Sequence, residues 1–497
     1  MRALALPLAL ALCAVPAVAV AFPVTVVQQA GPTTQRFNVA ILGDGYRASD
    51  QAKLTSDAKA LVSAIFDGAP YKPYRQLFNF KVIQSVSTDQ GATGGSAGGN
   101  PNTLFGAYFN CSGVAQLVCV NQGAVLAAAL ADVPEFDLAM VVVNDDKYGG
   151  AGGNVPVVST NVGAPEILRH ELGHNLANLA DEYDFAYPGY PACSPVNDCT
   201  EPNATLRNVR SQIKWLDWLE ASTPVPTAEG QNFAGVGVFE GARYLATGLY
   251  RPVDTGCKMQ LLGKGFCPVC SEALVRSFWN LTHVHLIDEA LPAGDVQSTS
   301  CKDTQFSVKT PVLDGATLSF SWTIDGQLQP AAAASLVVAS GALAAGQHSV
   351  VVTVKDTSAL VRHDPEGMLS ETHTFKYGVP DCKPDASSPM DAGVAGGGVG
   401  GAGVAGAGAS AGAPQAPLDA GSHGGAPGSA GASAGAAAVA GAGLASAGSA
   451  PIAPPPAERV GCNCRTGDER AADHPWGFVA LLGLASLARR RPREAQR

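Results

Sequence analysis

The stretch that organises this chain is Leu168-Arg-His-Glu-Leu-Gly-His-Asn-Leu-Ala-Asn-Leu-Ala-Asp-Glu-Tyr183. It contains His170-Glu171-Leu-Gly-His174, in which two histidines are separated by one helical turn. Residues at this spacing lie on the same helix face, so both imidazoles can bind one metal ion, and neutral histidine is a common zinc ligand. Glu171 follows the first histidine, where its carboxylate can reach a metal-bound water as a general base. The pattern therefore predicts a zinc hydrolase.

The third zinc ligand must come from beyond this helix, because a catalytic zinc ion usually has three protein ligands and one open position for water. Asn178 is the residue best suited to end the helix, since asparagine tolerates the left-handed conformation required there. Asp181 follows shortly after, and we predict it as the third ligand, with Glu182 as the alternative. Two histidines on a helix can also be an ordinary solvated face. The acidic residues just past the helix end favour the zinc site.

This string resembles the active-site signature of the IgA-peptidase-like zinc metallopeptidases, a metzincin-like family. Three further stretches match the pattern of that family in the expected order, and they are Ile41–Tyr46, Val143–Gly150 and Gly256–Met259. The resemblance spans about residues 36–282 and implies an α+β metzincin-like catalytic domain that cleaves protein or peptide substrates. Metzincins carry a glycine before the third ligand, and here Asn178 takes the corresponding turn. By the same resemblance, Met259 is the Met-turn methionine beneath the zinc ion.

The resemblance also suggests what borders the substrate cleft. In metzincins the strand before the active-site helix pairs with the substrate as an added strand. We therefore expect Asp146–Gly153 to lie along the cleft rim, with an ordinary flexible loop as the alternative. Tyr183 or Tyr250 could donate a hydrogen bond to the developing oxyanion. The sequence does not choose between them, and a packed structural role is the alternative for either.

Strands and helices alternate ahead of the histidine-bearing helix. Buried strands are predicted over residues 36–43, 78–85 and 138–144, and helices over 49–66, with Ser49 or Asp50 as its cap, and over 123–130. This order is typical of an α/β fold. Ser271–Trp279 is predicted as the closing helix of a catalytic domain that covers residues 22–283.

Three features concern the cellular setting of the chain. Residues 1–21 have a positive start, an apolar run and a small-residue cleavage site, which predict a signal peptide, with a membrane anchor as the alternative. A net charge of −10 and a pI of about 5.4 argue against a nucleic-acid partner. Disulfides are the default in an exported chain. The candidates are Cys111 with Cys119, Cys193 with Cys199, and Cys301 with Cys382, which bracket a β-rich segment.

Among the other cysteines, Cys257, Cys267 and Cys270 lie close together in the chain, and a disulfide between two of them leaves one odd thiol. A structural zinc ion on Cys267-Pro-Val-Cys270 is the alternative, although structural zinc sites more often show two such pairs. The sequence leaves both interpretations open.

The C-terminal part of the chain changes character after residue 283. Period-two alternation over 305–308, 317–324 and 348–355 predicts a small Ig-like β-sandwich over residues 284–382, with a spacer or adhesive role. Residues 383–460 are dominated by Ala, Gly, Ser and Pro, which predicts a disordered linker. Residues 461–497 carry Gly461-Cys-Asn-Cys464, a short apolar run and an arginine cluster.

This tail is similar to the myxobacterial C-terminal sorting tail. The similarity implies transient membrane association, processing at Cys462 and recognition by sorting machinery, whereas a frayed amphipathic end is the alternative. The sequence as a whole therefore predicts an exported zinc endopeptidase, associated with the cell surface or outer membrane or secreted. The rival hypotheses are a non-catalytic surface adhesin on a degenerate peptidase scaffold and a zinc amidase that acts on cell-wall material.

Overall fold

The structure is a computed structural model that describes residues 21–186, 190–230, 235–298, 301–315 and 317–381. The predicted signal peptide as far as residue 20, the linker and the sorting tail lie outside the described residues, as does Cys382. Within the described ranges, none of the helices combines the length and apolar character that crossing a membrane requires.

A six-stranded sheet with helices around it forms the N-terminal half. In chain order the elements are β1 (Val24–Gln28), β2 (Phe37–Asp44), α1 (Gln51–Ile65), β3 (Phe78–Ile83), β4 (Tyr108–Phe109), β5 (Val118–Cys119), α2 (Gln122–Asp132), β6 (Leu138–Val143), β7 (Gly150–Ala151), β8 (Val157–Ser159), α3 (Ala164–Ala177), β9 (Phe239–Ala242), β10 (Leu245–Arg251) and α4 (Pro268–Phe278). The sheet has the order β1-β3-β2-β6-β8-β7. Its four inner strands are parallel, whereas β1 and β7 are antiparallel edge strands.

The inner strands are covered on both faces, as their apolar sequences require. Every residue of β2 is buried, and alternate side chains enter different cores. Val39 and Ile41 join the core that contains α1, α3 and α4, whereas Ala40 and Leu42 join the core that contains α2. The α3 helix, which carries the two histidines, is thereby packed onto a rigid sheet.

The predicted order of these elements is confirmed, with two differences. The edge strand β1 was not predicted, since only one sheet partner and a half-exposed surface leave little hydrophobic pattern in Val24–Gln28. Asp50 is the residue at the start of α1, but its side chain does not cap that helix. Its carboxylate instead accepts hydrogen bonds from the backbone and guanidinium of Arg47. Asp50 therefore stabilises the turn before the helix.

Two further sheets form the segment after α4. They contain β11 (Glu289–Leu291), β12 (Val296–Gln297), β13 (Thr304–Lys309), β14 (Leu318–Ile324), β15 (Gln327–Leu328), β16 (Ser335–Val338), β17 (Gly346–Asp356) and β18 (Ser370–Val379), in the orders β11-β13-β16 and β12-β18-β17-β14-β15. Phe306 of one sheet packs on Phe375 and Tyr377 of the other, with ring centroids 5.0 and 5.2 Å apart. The two sheets therefore share a core. Their assignment as an Ig-like sandwich stays a prediction.

This β-rich segment is packed against the N-terminal half. Asp356 at the end of β17 is 1% exposed and accepts hydrogen bonds from the Tyr74 hydroxyl and the Trp279 indole, both at 2.7 Å. Arg36 forms a buried ion pair with Asp288. One continuous apolar cluster contains side chains from both halves. The domain boundary between residues 283 and 284 stays a prediction. Described residues on both sides of that boundary pack into one apolar core.

The end of α3 sets the direction of the chain toward its third predicted ligand. Asn178 has φ 51° and ψ 39°, which is the left-handed conformation predicted for this helix end. Its N–H donates to the carbonyl of His174 at 3.0 Å, and the N–H of Leu179 donates to that of Gly173 at 3.2 Å. The turn satisfies two carbonyls at the helix end and reverses the chain.

We expect Asn178→Ala to lower the free energy of unfolding by about 1 kcal/mol, because a β-carbon without a polar side chain is strained at positive φ. Asn178→Gly should unfold close to the wild-type midpoint, since glycine adopts this conformation without strain. Urea unfolding of the wild type and the two variants measures the difference, when all three are fitted with the same dependence of the unfolding free energy on urea concentration. Equal midpoints for the alanine and glycine variants would contradict the role given to the left-handed turn.

Candidate metal centre

His170, His174 and Asp181 converge at the end of α3. The Nε2 atoms of the two histidines lie 3.2 Å apart. Oδ1 of Asp181 lies 3.0 Å from Nε2 of His170 and 3.4 Å from Nε2 of His174. His170 and Asp181 are each 1% exposed, whereas His174 is half-buried and reaches the surface of a cleft. The structure thus brings together the three residues predicted as ligands.

Backbone carbonyls orient both imidazole rings. Nδ1 of His170 lies 3.0 Å from the carbonyl oxygen of Lys258, and Nδ1 of His174 lies 2.6 Å from that of Leu179. A carbonyl oxygen only accepts hydrogen bonds, so each Nδ1 carries the proton and donates it. Each Nε2 then presents its lone pair to Asp181. Fixing the tautomer in this way is characteristic of metal-binding histidines.

The donor set fits a zinc ion. Zinc–nitrogen and zinc–oxygen bonds of about 2.0–2.1 Å in a tetrahedron place neighbouring ligand atoms roughly 3.3 Å apart. The three observed separations lie between 3.0 and 3.4 Å. Among the described residues, Oδ1 of Asp181 has no hydrogen-bond donor in this orientation of the imidazoles. Three buried lone pairs that face one point would repel each other, and a cation between them removes that cost.

Electrostatic effects agree with this arrangement. Burial raises the pKa of Asp181, but the two imidazoles lower it more, so the pKa of this carboxyl lies below its usual value. Burial lowers the pKa of His174, but the Asp181 carboxylate more than compensates and raises that pKa to about 9. Both shifts have one cause, since the three groups together attract a positive charge. Without a metal ion, a proton bound to the histidine supplies this positive charge.

Glu171 is fully buried beside this site. It follows His170 on α3, and its negative charge also raises the pKa of His174. Its carboxylate is therefore within electrostatic range of the histidine pair. Its role as the general base stays a prediction.

Met259 lies beneath α3. It is fully buried, and its sulfur would lie only 3.0 Å from a β-carbon added to Gly173. The glycine in the motif therefore makes room for the methionine that packs under the helix. The carbonyl of Met259 accepts a hydrogen bond from the N–H of Glu182 at 2.9 Å, which ties this turn to the ligand segment.

Glu182, the alternative third ligand, faces another cluster. Its Oε1 accepts hydrogen bonds from the Asn203 amide at 2.9 Å and from the Cys270 thiol at 3.2 Å. Burial and the neighbouring Cys257 raise the pKa of Glu182 well above its usual value. Of the two adjacent acidic residues, Asp181 is the one whose carboxylate reaches the histidines.

A cleft of about 430 Å³ opens at the histidine pair. Its described lining includes Ala151–Asn154, His174, Asp181 and Tyr190. The predicted rim of Asp146–Gly153 therefore reaches the cleft through its last three residues, and the edge strand β7 begins there with Gly150 buried.

Neither tyrosine considered for oxyanion stabilisation lies among the described lining residues. Tyr183 is buried and packs near the ring of His170, with centroids 6.4 Å apart. The Tyr250 hydroxyl accepts a hydrogen bond from Asn208. Tyr190, which the sequence analysis did not single out, is the tyrosine that lines the cleft. It lies near Tyr183, Tyr187 and Pro188 in the sequence, where no periodic pattern distinguishes one aromatic residue from another.

The cysteine predictions divide into two groups. Cys111–Cys119 and Cys193–Cys199 are disulfides, as predicted from their short loops. Cys257, Cys267 and Cys270 are free and buried. The predicted pairing of Cys301 with Cys382 involves a residue outside the described part of the chain.

Comparison with known proteins gives a family match over the part of the chain that contains His170, His174 and Asp181. Residues 25–234 match the family model described as IgA Peptidase M64. The matched range contains α3 and the ligand segment, and it ends before Met259. No curated protein matches the chain. The family match supports the IgA-peptidase-like resemblance and, with it, a peptidase activity on protein or peptide substrates.

Proposed function

We propose that the protein is an exported zinc-dependent endopeptidase that hydrolyses peptide bonds in extracellular proteins at the cell surface or after secretion. The observation that carries the proposal is the convergence of His170, His174 and Asp181, whose ligand atoms lie within 3.4 Å of one another. A cleft of about 430 Å³ lies beside them, and the matched family model is described as a peptidase family.

His170, His174 and Asp181 would hold the zinc ion, and a bound zinc ion lowers the pKa of a coordinated water and polarises a carbonyl. Glu171 would accept a proton from the attacking water and return it to the leaving amine. The backbone at Ala151–Asn154 lies along the same cleft, where glycines at positions 152 and 153 leave space for an extended peptide. Such a peptide can pair with the backbone that follows Gly150, since the N–H of Gly150 itself already donates to the carbonyl of Gln116.

Three features support the cellular setting. The N-terminal residues have the pattern of a signal peptide, and the Cys-Asn-Cys motif with its apolar run and arginines is similar to a sorting tail. Two disulfides in the described part of the chain suit an oxidising compartment. Detection of the chain in washed outer-membrane or medium fractions tests the location, and accumulation in the cytoplasm would contradict it.

The activity is tested by digestion of casein and of a mixed peptide library with the purified protein. We expect cleavage that a zinc chelator abolishes and added zinc restores, whereas a non-chelating isomer of the same compound has no effect. Release of amino sugars or cell-wall peptides without cleavage of the library would favour the amidase. Absence of any hydrolysis, with zinc bound, would favour the adhesin.

Ligand assignment is tested by His174→Ala. We expect this variant to lose the zinc ion of the catalytic site and all zinc-dependent hydrolysis, because one of three protein ligands is removed. His285→Ala is the matched control, since that histidine is exposed and belongs to another part of the fold. Zinc content is measured by elemental mass spectrometry after gel filtration. Unchanged zinc content in the His174 variant would overturn the ligand assignment.

A further inference from the structure

We propose that Glu182, Cys257, Cys267 and Cys270 form a second, structural zinc site. These four side chains come from three separate parts of the chain, and their ligand atoms all lie within 4.8 Å of one another. All four residues are buried. The site is distinct from the catalytic one, and its existence does not depend on the proposed peptidase activity.

The distances between the donor atoms suit a tetrahedral ion. The sulfur atoms of Cys257 and Cys270 lie 3.6 Å apart, and the Cys270 sulfur lies 3.2 Å from Oε1 of Glu182. Zinc–sulfur bonds of about 2.3 Å place two sulfur ligands roughly 3.8 Å apart. Three sulfurs and one carboxylate oxygen complete four-fold coordination with no open position, which is the arrangement of structural zinc sites. Soft thiolate ligands also select zinc over calcium or magnesium.

One atom of the cluster is otherwise unexplained. Oε2 of Glu182 is buried and, among the described residues, has no hydrogen-bond partner. Leaving a buried carboxylate oxygen without a donor costs free energy, and a cation bound to the carboxylate removes that cost. The Asn203 amide donates to Oε1 at 2.9 Å, and this is the oxygen that lies 3.2 Å from the Cys270 sulfur, so the carboxylate is held against the sulfurs through Oε1.

Backbone groups are placed to stabilise thiolates. Cys267 is the residue that precedes the first turn of α4, and the N–H of Cys270 points to its sulfur at 3.5 Å. The N–H of Cys267 in turn points to the sulfur of Cys257 at 3.5 Å. The positive end of the helix dipole adds to this effect. Negative charge on the sulfurs of Cys257 and Cys267 is therefore stabilised by backbone N–H groups.

A disulfide accounts for the cluster less well. Cys111–Cys119 and Cys193–Cys199 are disulfides among the described residues, whereas these three cysteines are free. Any disulfide among three cysteines leaves one buried thiol and the Glu182 carboxylate without a function. A zinc ion would be coordinated by all three cysteine sulfurs and by the Glu182 carboxylate.

The proposed site joins the segments that build the catalytic centre. Glu182 directly follows Asp181, and Cys257 directly precedes Lys258, whose carbonyl orients His170. The N–H of Glu182 also donates to the carbonyl of Met259. An ion shared by Glu182 and Cys257 would therefore hold the third ligand and the methionine turn at a constant separation.

Zinc counting on the full chain, purified without chelators, tests the proposal. We expect two zinc ions per chain in the wild type, one in Cys267→Ser, one in His174→Ala and none when both are combined. Cys119→Ser is the control, since it removes a disulfide cysteine and should keep two. A wild-type count of two with one ion lost in Cys267→Ser but none lost in His174→Ala would support this site and overturn the catalytic assignment.

Two measurements keep the test decisive if Cys267→Ser fails to fold. Glu182→Gln retains all three sulfurs and is expected to bind the second ion more weakly, so that a mild chelator removes one ion from it but none from the wild type. Cobalt substitution of His174→Ala should give a thiolate-to-cobalt charge-transfer band. A wild type whose single zinc ion is lost in His174→Ala, no such band, or a mapped disulfide between two of the three cysteines would each overturn the proposal.

Discussion

Replacement of Glu171 by glutamine is expected to lower kcat/KM for peptide hydrolysis by about 10²- to 10⁴-fold, the usual contribution of a general base. Glutamine has the same shape as glutamate, so a residue that is fully buried in the wild type keeps its packing. What it loses is the ability to accept a proton from water. The zinc ligands are three other residues, so the variant should retain the zinc content of the wild type.

The measurements are initial rates on one library-derived peptide, zinc content and the urea midpoint, all on the same preparation. Glu220→Gln is the matched control, because Glu220 is exposed and lies outside the cleft lining. Full activity of the Glu171 variant would refute its role as the base. Lost zinc together with lost activity would show instead that Glu171 helps to hold the metal or the fold.

Replacement of Asp356 by alanine is expected to lower the free energy of unfolding by about 3 kcal/mol. The carboxylate accepts hydrogen bonds from the Tyr74 hydroxyl, the Trp279 indole and the backbone N–H of Ser358. Alanine would leave two buried side-chain donors without a partner, and each unsatisfied buried donor costs about 1–3 kcal/mol. Asp356→Asn should be milder, since its amide oxygen can still accept from one or both donors.

Urea unfolding that is followed by tryptophan fluorescence measures this effect. Asp314→Ala is the control, because Asp314 is exposed in the same β-rich segment and does not have a positive φ. An Asp356→Ala midpoint equal to that of the control would contradict the stabilising role of the shared core. The zinc content should not change, since Asp356 contacts the end of α4 and not the zinc ligands.

The same contacts bear on how the catalytic half is studied. Tyr74 and Trp279 are covered by the β-rich segment, together with apolar residues of one continuous core. Expression of residues 22–283 alone would expose that surface to water, at a cost of about 25 cal/mol for each Å² of apolar area. The full chain is therefore the appropriate material for each experiment described above.

Much of the candidate site could be predicted because its signals are local. The helical spacing of His170 and His174, the turn-forming Asn178 and the short cysteine loops each depend on neighbours within a few residues. The residues that only the structure revealed depend on distant contacts. Tyr190 reaches the cleft, and Cys257 and Glu182 meet the Cys267–Cys270 pair, through chain paths that no local pattern records.

The sequence by itself determined the α/β order, the helix that presents two histidines and the point at which that helix ends, because periodicity and backbone preference act over a few residues. It did not separate Asp181 from Glu182, two adjacent carboxylates of the same chemistry. Only the tertiary structure decided that Asp181 turns to the histidines and Glu182 to three cysteines. The physical reason is that the partners of each carboxylate come from remote segments, and their positions depend on the packing of the whole core.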